Sequence, residues 1–219
     1  MTEKEIALFD REIRLSKNYL EYGAGGSTKI AASVPSVQKI VSVESDPVFL
    51  ESSVFPDPMI QKAMSDARMK FLLPYIGPSL GWGIPKDKSM AYLWPNYALC
   101  PYQSVPLAPD LILVDGRFRV ACCLVAALQA PEATILLHDF THRPEYRILK
   151  KYFTIVEMVD TLVKLRRSTN FNDRKAQKYL KKYLYFPCDD PLTAEALLRR
   201  FIFLIKQLIK RVLLRQVQA

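Results

Sequence analysis

One stretch of eight residues, Glu21-Tyr22-Gly23-Ala24-Gly25-Gly26-Ser27-Thr28, restricts this chain more than any other. It follows Asn18 to Tyr22, a short apolar run that suits a buried strand, and it precedes Ser27 to Ala32, which reads as the opening of a helix. Glycine lets a backbone adopt positive φ and approach another surface closely. A glycine-rich strand-to-helix turn also points the first helical amides at whatever lies beyond the strand end. One strand later, Lys39 to Val43 is rich in β-branched residues and ends at Glu44, where a carboxylate can accept the hydroxyls of a ribose. Together these features predict a nucleotide-like ligand held across the ends of neighbouring strands.

The rest of the chain repeats the alternation. Glu3 to Ser16 has its apolar residues at Ile6, Leu8, Phe9, Ile13 and Leu15, the spacing of an amphipathic helix. Asp57 to Met69 is helical in pattern, and Phe71 to Ile76 reads as a strand. Asp110 to Val114 is an apolar strand ending at Asp115-Gly116, followed by a helix over Val120 to Leu128. Ala133 to Leu137 is another apolar strand and ends at His138-Asp139. A helix over Arg143 to Lys150 and a hairpin of Phe153 to Val159 with Leu162 to Leu165 complete the series. Apolar strands alternating with helices predict a parallel sheet covered on both faces, with its ligand crevice at the strand ends. Residues 77 to 109 resist this scheme. They are rich in proline, contain Gly77, Gly81 and Gly83, and carry Trp82, Tyr92, Trp94, Tyr97 and Tyr102. They read as a long loop over the crevice, whose Trp82, Trp94 and Tyr97 either stack on a ligand or pin the loop as a local cluster.

Dinucleotide sites place a third glycine where this chain has Thr28. The pattern Glu-x-Gly-x-Gly-Gly instead resembles motif I of class I S-adenosylmethionine (SAM)-dependent methyltransferases, and the hairpin after residue 152 is similar to their antiparallel closing pair. The segments Leu113-Val114-Asp115-Gly116-Arg117-Phe118-Arg119 and Leu136-Leu137-His138-Asp139-Phe140 resemble small-molecule O-methyltransferases of the macrocin and catechol types. They come nearest to bacterial methyltransferase-like proteins with a Val-Asp-Gly-Arg-x-Arg element. The resemblance implies an α/β, Rossmann-like, doubly wound seven-stranded sheet. It implies SAM held by Glu21, Gly23, Gly25, Gly26, Ser27, Thr28 and Glu44, and a Mg2+ site at Asp115 and Asp139. This chain departs from those families where Arg117-Phe118 replaces an acid and a histidine, and where His138 replaces the first acid of a pair. The basic side chains argue against a dense cation site.

Methyl transfer to oxygen needs an aligned acceptor and a group that takes its proton. The sequence contains two histidines, His138 and His142, and both fall at one strand end. His138 is therefore the expected general base, oriented by Asp139 or Asp115, and Arg117, Arg119, Arg143 and Trp82 are the expected contacts to an acceptor.

Charge divides the chain. Residues 171–219 carry +7 of the +9 net charge, which leaves residues 1–170 almost neutral. The expected division is a SAM-binding domain over 1–170 and a basic helical tail over 171–219. Leu197, Phe201, Leu204, Ile205, Leu208 and Val212 share one helical face, opposite Arg199, Arg200, Lys206, Lys210 and Arg211. Such a face docks on the domain itself, on a protein partner or on an anionic membrane surface. With no signal sequence, no spanning stretch and no Cys-x-x-Cys pair, a cytoplasmic protein is expected, with the tail as its one contact to the membrane. No RNA-binding module is recognisable, so a nucleic-acid partner is not expected. The predicted activity is O-methylation of a small-molecule or glycan-linked acceptor. The alternatives are a non-catalytic SAM-fold or nucleotide-binding subunit, and an RNA methyltransferase.

Overall fold

A computed structural model describes residues 1–80, 83–141 and 143–187. Trp82, His142 and residues 188–219 of the expected basic helical tail lie outside the described residues. The first compact unit of the chain runs Met1–Cys188.

Helix α1 (Glu3–Leu15) starts at a capping box, in which Thr2 accepts from the Glu5 amide and Glu5 accepts from the Thr2 amide. Strand β1 (Asn18–Tyr22) then enters the glycine turn and α2 (Gly26–Ser33), and β2 (Lys39–Val43) follows. A short turn of helix, α3 (Pro47–Phe49), runs on as a π-helical turn at Leu50–Val54, ahead of α4 (Pro58–Ser65) and β3 (Met69–Leu72). After the segment over the crevice come β6 (Leu111–Val114), α6 (Arg119–Gln129) and β7 (Thr134–Leu137). A 3-10 helix, Pro144–Lys151, leads to the hairpin β8 (Phe153–Val159) and β9 (Leu162–Arg167), and α7 (Asp173–Tyr183) follows.

The seven strands form one sheet in the order β3-β2-β1-β6-β7-β9-β8, with β9 antiparallel to both neighbours. This is the doubly wound α/β sheet that the resemblance implies. The winding reverses between β1 and β6, so the crevice opens beyond Tyr22 and Val114. In-register pairing sets the faces. Tyr19 and Glu21 lie beside Leu111 and Leu113, and with Leu136 this face packs under Leu8, Phe9 and Ile13 of α1, Ala31 of α2 and Ile60 of α4. Every residue of β6 and β7 is buried, which explains why both read as unbroken apolar runs.

Several boundaries differ from the sequence reading. Strand β3 pairs with β2 from Met69 to Leu72 and ends where β2 ends. Pro74, which lacks an amide, lies just beyond and keeps the strand from reaching Ile76. The segment over the crevice is structured. It contains a small hairpin, β4 (Ser79–Leu80) with β5 (Ile84–Pro85), a 3-10 helix at Lys88–Leu93, and α5 (Pro95–Ser104). Pro95 begins α5, a position that tolerates proline, while Pro101 inside the helix hides it from a propensity reading. Trp94 and Tyr97 are almost fully buried, each within 6 Å of the Phe118 ring. They pin the segment and are not available to stack on a ligand.

Helix α7 belongs with the sheet. Asn172 caps it, Ala176 is buried, and Arg167 at the end of β9 lies over the Phe171 ring and pairs with Asp173. Helix α7 thus lies within the compact unit Met1–Cys188.

Two glycines fix the strand ends. A Cβ on Gly23 (φ +96°) would sit 2.7 Å from the Gly116 amide nitrogen, and one on Gly116 would sit 2.0 Å from the Tyr97 hydroxyl. Gly26, by contrast, has nothing within 4 Å of its missing Cβ. Gly23→Ala and Gly116→Ala should each lower stability by roughly 3 kcal/mol, because backbone must move to admit a methyl group. Gly26→Ala should leave the melting temperature unchanged or slightly higher, since alanine favours the helix. Thermal denaturation of the three variants checks this ranking.

Candidate functional site

The turn after β1 is built around Glu21, which is fully buried. Its carboxylate accepts from the hydroxyls of Tyr19 (3.0 Å), Ser27 (2.8 Å) and Thr28. Burial raises its pKa, and the hydroxyl donors oppose that shift. The Thr28 hydroxyl in turn accepts from the Gly25 amide at 2.8 Å. Glu21, Ser27 and Thr28 thus tie the strand, the turn and the first turn of α2 together from below. Gly25 takes φ +155° and ψ −132°, a region open almost only to glycine. Like Gly26, it has open space where a Cβ would stand. The turn is held rigidly from inside the protein and is bare on the crevice side.

Glu44, at the end of β2, faces the same space. One of its oxygens accepts from the amides of Ser45 (2.6 Å) and Asp46 (3.0 Å), and the other accepts from the Ala24 amide (3.3 Å). Burial raises its pKa, partly offset by these amides. The second oxygen has one protein donor, which leaves it acceptor capacity. Gly83 comes close to Ser45, Glu44 and Arg117, so the segment after the β4–β5 turn passes over the ends of β2 and β6, as the sequence predicts.

The ends of β6 and β7 carry an ion network. Arg119 is 5% exposed. It donates to the carbonyls of Gly116 and His138, both at 2.8 Å, and pairs with Asp139 (2.9 Å) and Asp115 (3.2 Å). Its guanidinium joins two strand ends through these bonds. His138 lies between two carboxylates, with Nδ1 2.9 Å from Asp115 and Nε2 3.2 Å from Glu5 of α1. Burial alone would lower the His138 pKa, but the bond to Asp115 and the charges of Asp115, Asp139 and Glu5 raise it. Asp115 is held below its usual value by His138 and Arg119 against the effect of burial. An imidazole that shares both nitrogens with carboxylates has no lone pair free for an acceptor's proton, which opposes the expected base role for His138.

The same contacts test the metal expectation. Ligand atoms of Asp115, His138 and Asp139 lie within 4.8 Å of one another. The Arg119 guanidinium already pairs with both carboxylates, and His138 is hydrogen-bonded to Asp115. A Mg2+ ion would have to displace a buried guanidinium, so this donor set does not fit it.

Arg117 lies beside Gly83 and donates its amide to the Tyr97 hydroxyl at 3.3 Å, and Arg143 begins the 3-10 helix before β8. Two strand-end residues have left-handed backbone, Phe118 (φ 53°) and Asp139 (φ 61°). Aspartate tolerates that region, whereas for Phe118 the strain of about 1–3 kcal/mol is borne by a fully buried ring. The sequence reading missed Glu5. Its only signal was Thr2-x-x-Glu5, a capping pattern that gives no hint of a partner more than a hundred residues away. Glu5 is 1% exposed and also accepts the amide (2.8 Å) and hydroxyl (2.6 Å) of Thr161 in the β8–β9 turn.

No family model matches this sequence, and no curated protein matches it. Solved structures do. A methyltransferase-like protein from Silicibacter pomeroyi superposes with a TM-score of 0.72 at 26% identity, over 84% of this chain and 95% of that one. A candidate tRNA (m1A22) methyltransferase from Streptococcus pneumoniae gives 0.48 at 13% identity, over 97% of this chain and 100% of that one. The N-methyltransferase NodS from Bradyrhizobium japonicum gives 0.44 at 15%, over 75% and 96%. The fold is that of class I methyltransferases.

Thr161, the Thr2 amide and His138 together hold Glu5 down from 4.5 to about 2, against the effect of burial. A depressed carboxylate adds stability that is complete above 4.5 and is lost as pH falls through about 2. The raised His138 adds stability that is complete below 6.5 and fades as pH rises through its folded value. Glu5→Gln should therefore cost on the order of 3 kcal/mol near pH 6 and much less near pH 2, as denaturant melts across that range would read. A cost independent of pH would show that Glu5 acts by packing alone.

Proposed function

We propose that this chain is a SAM-dependent methyltransferase that modifies an oxygen of a small-molecule or glycan-linked acceptor. The observation that carries the cofactor reading is the bare side of the glycine turn. Gly25 and Gly26 leave open space beside Glu44, and a buried glutamate holds the turn in shape from behind. Gly25, Gly26 and the first amides of α2 would line the backbone side of the cofactor, and Glu44 would accept from its ribose. SAM supplies a sulfonium methyl group that is already a strong electrophile. The chain's own residues then need to bind, align and exclude water rather than form covalent bonds.

Asp115, Arg119, His138 and Asp139 serve as positioning residues in this reading. They fix the ends of β6 and β7 against each other, and α1 locks them through Glu5. Asp115 and Asp139 are 29% exposed, so each keeps a carboxylate edge accessible. An acceptor hydroxyl would bind at these edges. For His138 to take the acceptor's proton, one of its two carboxylate bonds must open first. Peripheral attachment of the tail to an anionic membrane remains part of this proposal. Among the described residues, no helix is long and apolar enough to cross a membrane.

Calorimetry should show SAM and S-adenosylhomocysteine binding, with no binding of NAD. Gly26→Leu should abolish cofactor binding while leaving the fold intact, because its side chain enters space that the protein itself does not use. Glu44→Ala should weaken SAM by roughly tenfold or more, in keeping with a lost charge-assisted hydrogen bond. Binding of NAD alone, or unchanged SAM affinity in Gly26→Leu, would refute the cofactor assignment. Methyl-labelled SAM offered with hydroxylated sugars and phenols tests the acceptor. Tight SAM binding with no label in any acceptor would favour a non-catalytic subunit.

A further inference from the structure

At the edge of the sheet away from the crevice lies a groove of about 710 Å3. Its walls are Lys151 and Tyr152, just before β8, and Lys175, Lys178, Tyr179 and Lys182 of α7, and its remaining lining residues are asparagines. Residue 153, where β8 begins, pairs with Arg167, where β9 ends, so the groove sits at the opposite end of β9 from the crevice. It is separate from the proposed methyl-transfer site.

No carboxylate lines the groove, and among the described residues none of its four lysines makes an ion pair. The nearest acid in sequence, Asp173, is committed to Arg167. Lys175, Lys178 and Lys182 follow one another at three- and four-residue steps, which places them on one face of α7 over about 10 Å of axis. Like charges stacked at this spacing repel one another, so the arrangement favours a ligand that brings negative charge at several points along a line. The aromatic part is ordered. Tyr152 is 4% exposed and packs edge-on against Phe171 and Tyr179, which leaves the half-buried Tyr179 as the ring on the groove wall.

We propose that this groove binds the phosphate backbone of a single-stranded RNA, with Tyr179 offering a stacking surface to a base. A row of exposed lysines with one aromatic ring is the pattern of sequence-tolerant strand binding. A membrane is a poorer match, because the groove is concave and none of the large exposed apolar residues belongs to it. A single small anion is also a poorer match, because lysines on flexible stems spread along a helix do not converge on one point. The groove therefore reverses the expectation, drawn from the sequence, that nucleic acid is not a partner. It assigns the RNA an anchoring contact and does not make it the methyl acceptor.

The test uses the full chain and a labelled oligouridylate of about twenty nucleotides, read by fluorescence anisotropy over a salt series. Lys175→Glu/Lys178→Glu/Lys182→Glu should weaken binding roughly tenfold or more and make the slope of log affinity against log salt shallower by about 2. If that variant loses its fold, the corresponding glutamine triple should show the same change in slope. Lys206→Glu/Lys210→Glu/Arg211→Glu carries the same charge change in the tail and should lose less. Unchanged affinity in the groove variants, or an equal loss in the tail variant, would overturn the proposal. So would displacement of the RNA by inorganic phosphate at equal phosphate concentration. A groove variant that loses only its binding to phosphatidylserine vesicles would also overturn it.

Discussion

The turn after β1 and the turn after β6 meet backbone to backbone at Gly23 and Gly116, where neither has room for a Cβ. That contact closes the floor of the crevice at the point where the sheet's winding reverses. Neither turn can carry a side chain there. Tyr97, from the segment above, fills the remaining gap with its hydroxyl and donates nothing to solvent, being 1% exposed. Tyr97 belongs to α5, and Phe118, with left-handed backbone, caps the start of α6 beside it.

Polar groups then set each wall. On the β1 side a buried glutamate gathers hydroxyls, and on the β6–β7 side a buried arginine gathers carbonyls and carboxylates. Both groups bear the cost of leaving water, and both repay it by fixing neighbours that would otherwise be independent loops. The distinction matters for function. A side chain whose bonds are all made within the protein cannot also bind or deprotonate a substrate without breaking them. Arg119 and His138 read as candidate reagents in the sequence, and in the structure both are bonded to neighbouring strand ends, whereas one oxygen of Glu44 keeps acceptor capacity.

The elements legible in the sequence were those with local signals. The β1 turn, the apolar runs of β6 and β7 and the closing hairpin were all readable, because period, composition and turn chemistry agree within a few residues. What the sequence hid was non-local. Glu5 reads as a helix cap, and nothing nearby reveals that it meets His138 and Thr161. Helix α5 is masked by Pro101, and its stability comes from burying Trp94 and Tyr97 against Phe118. The lysines of α7 read as part of a basic tail, and only their placement beside Lys151 and Tyr152 reveals a groove.

The crevice above the Gly23–Gly116 floor is the proposed SAM site. Hydrogen exchange of the backbone amides, with and without saturating S-adenosylhomocysteine, reads that crevice directly. Cofactor bound there should slow exchange in the turn from Tyr22 to Thr28, at Ser45 and Asp46 beyond β2, and around Gly116 and Arg117 beyond β6, with little change at α7. Protection confined to other parts of the chain, or no protection at any of the three strand ends, would contradict it.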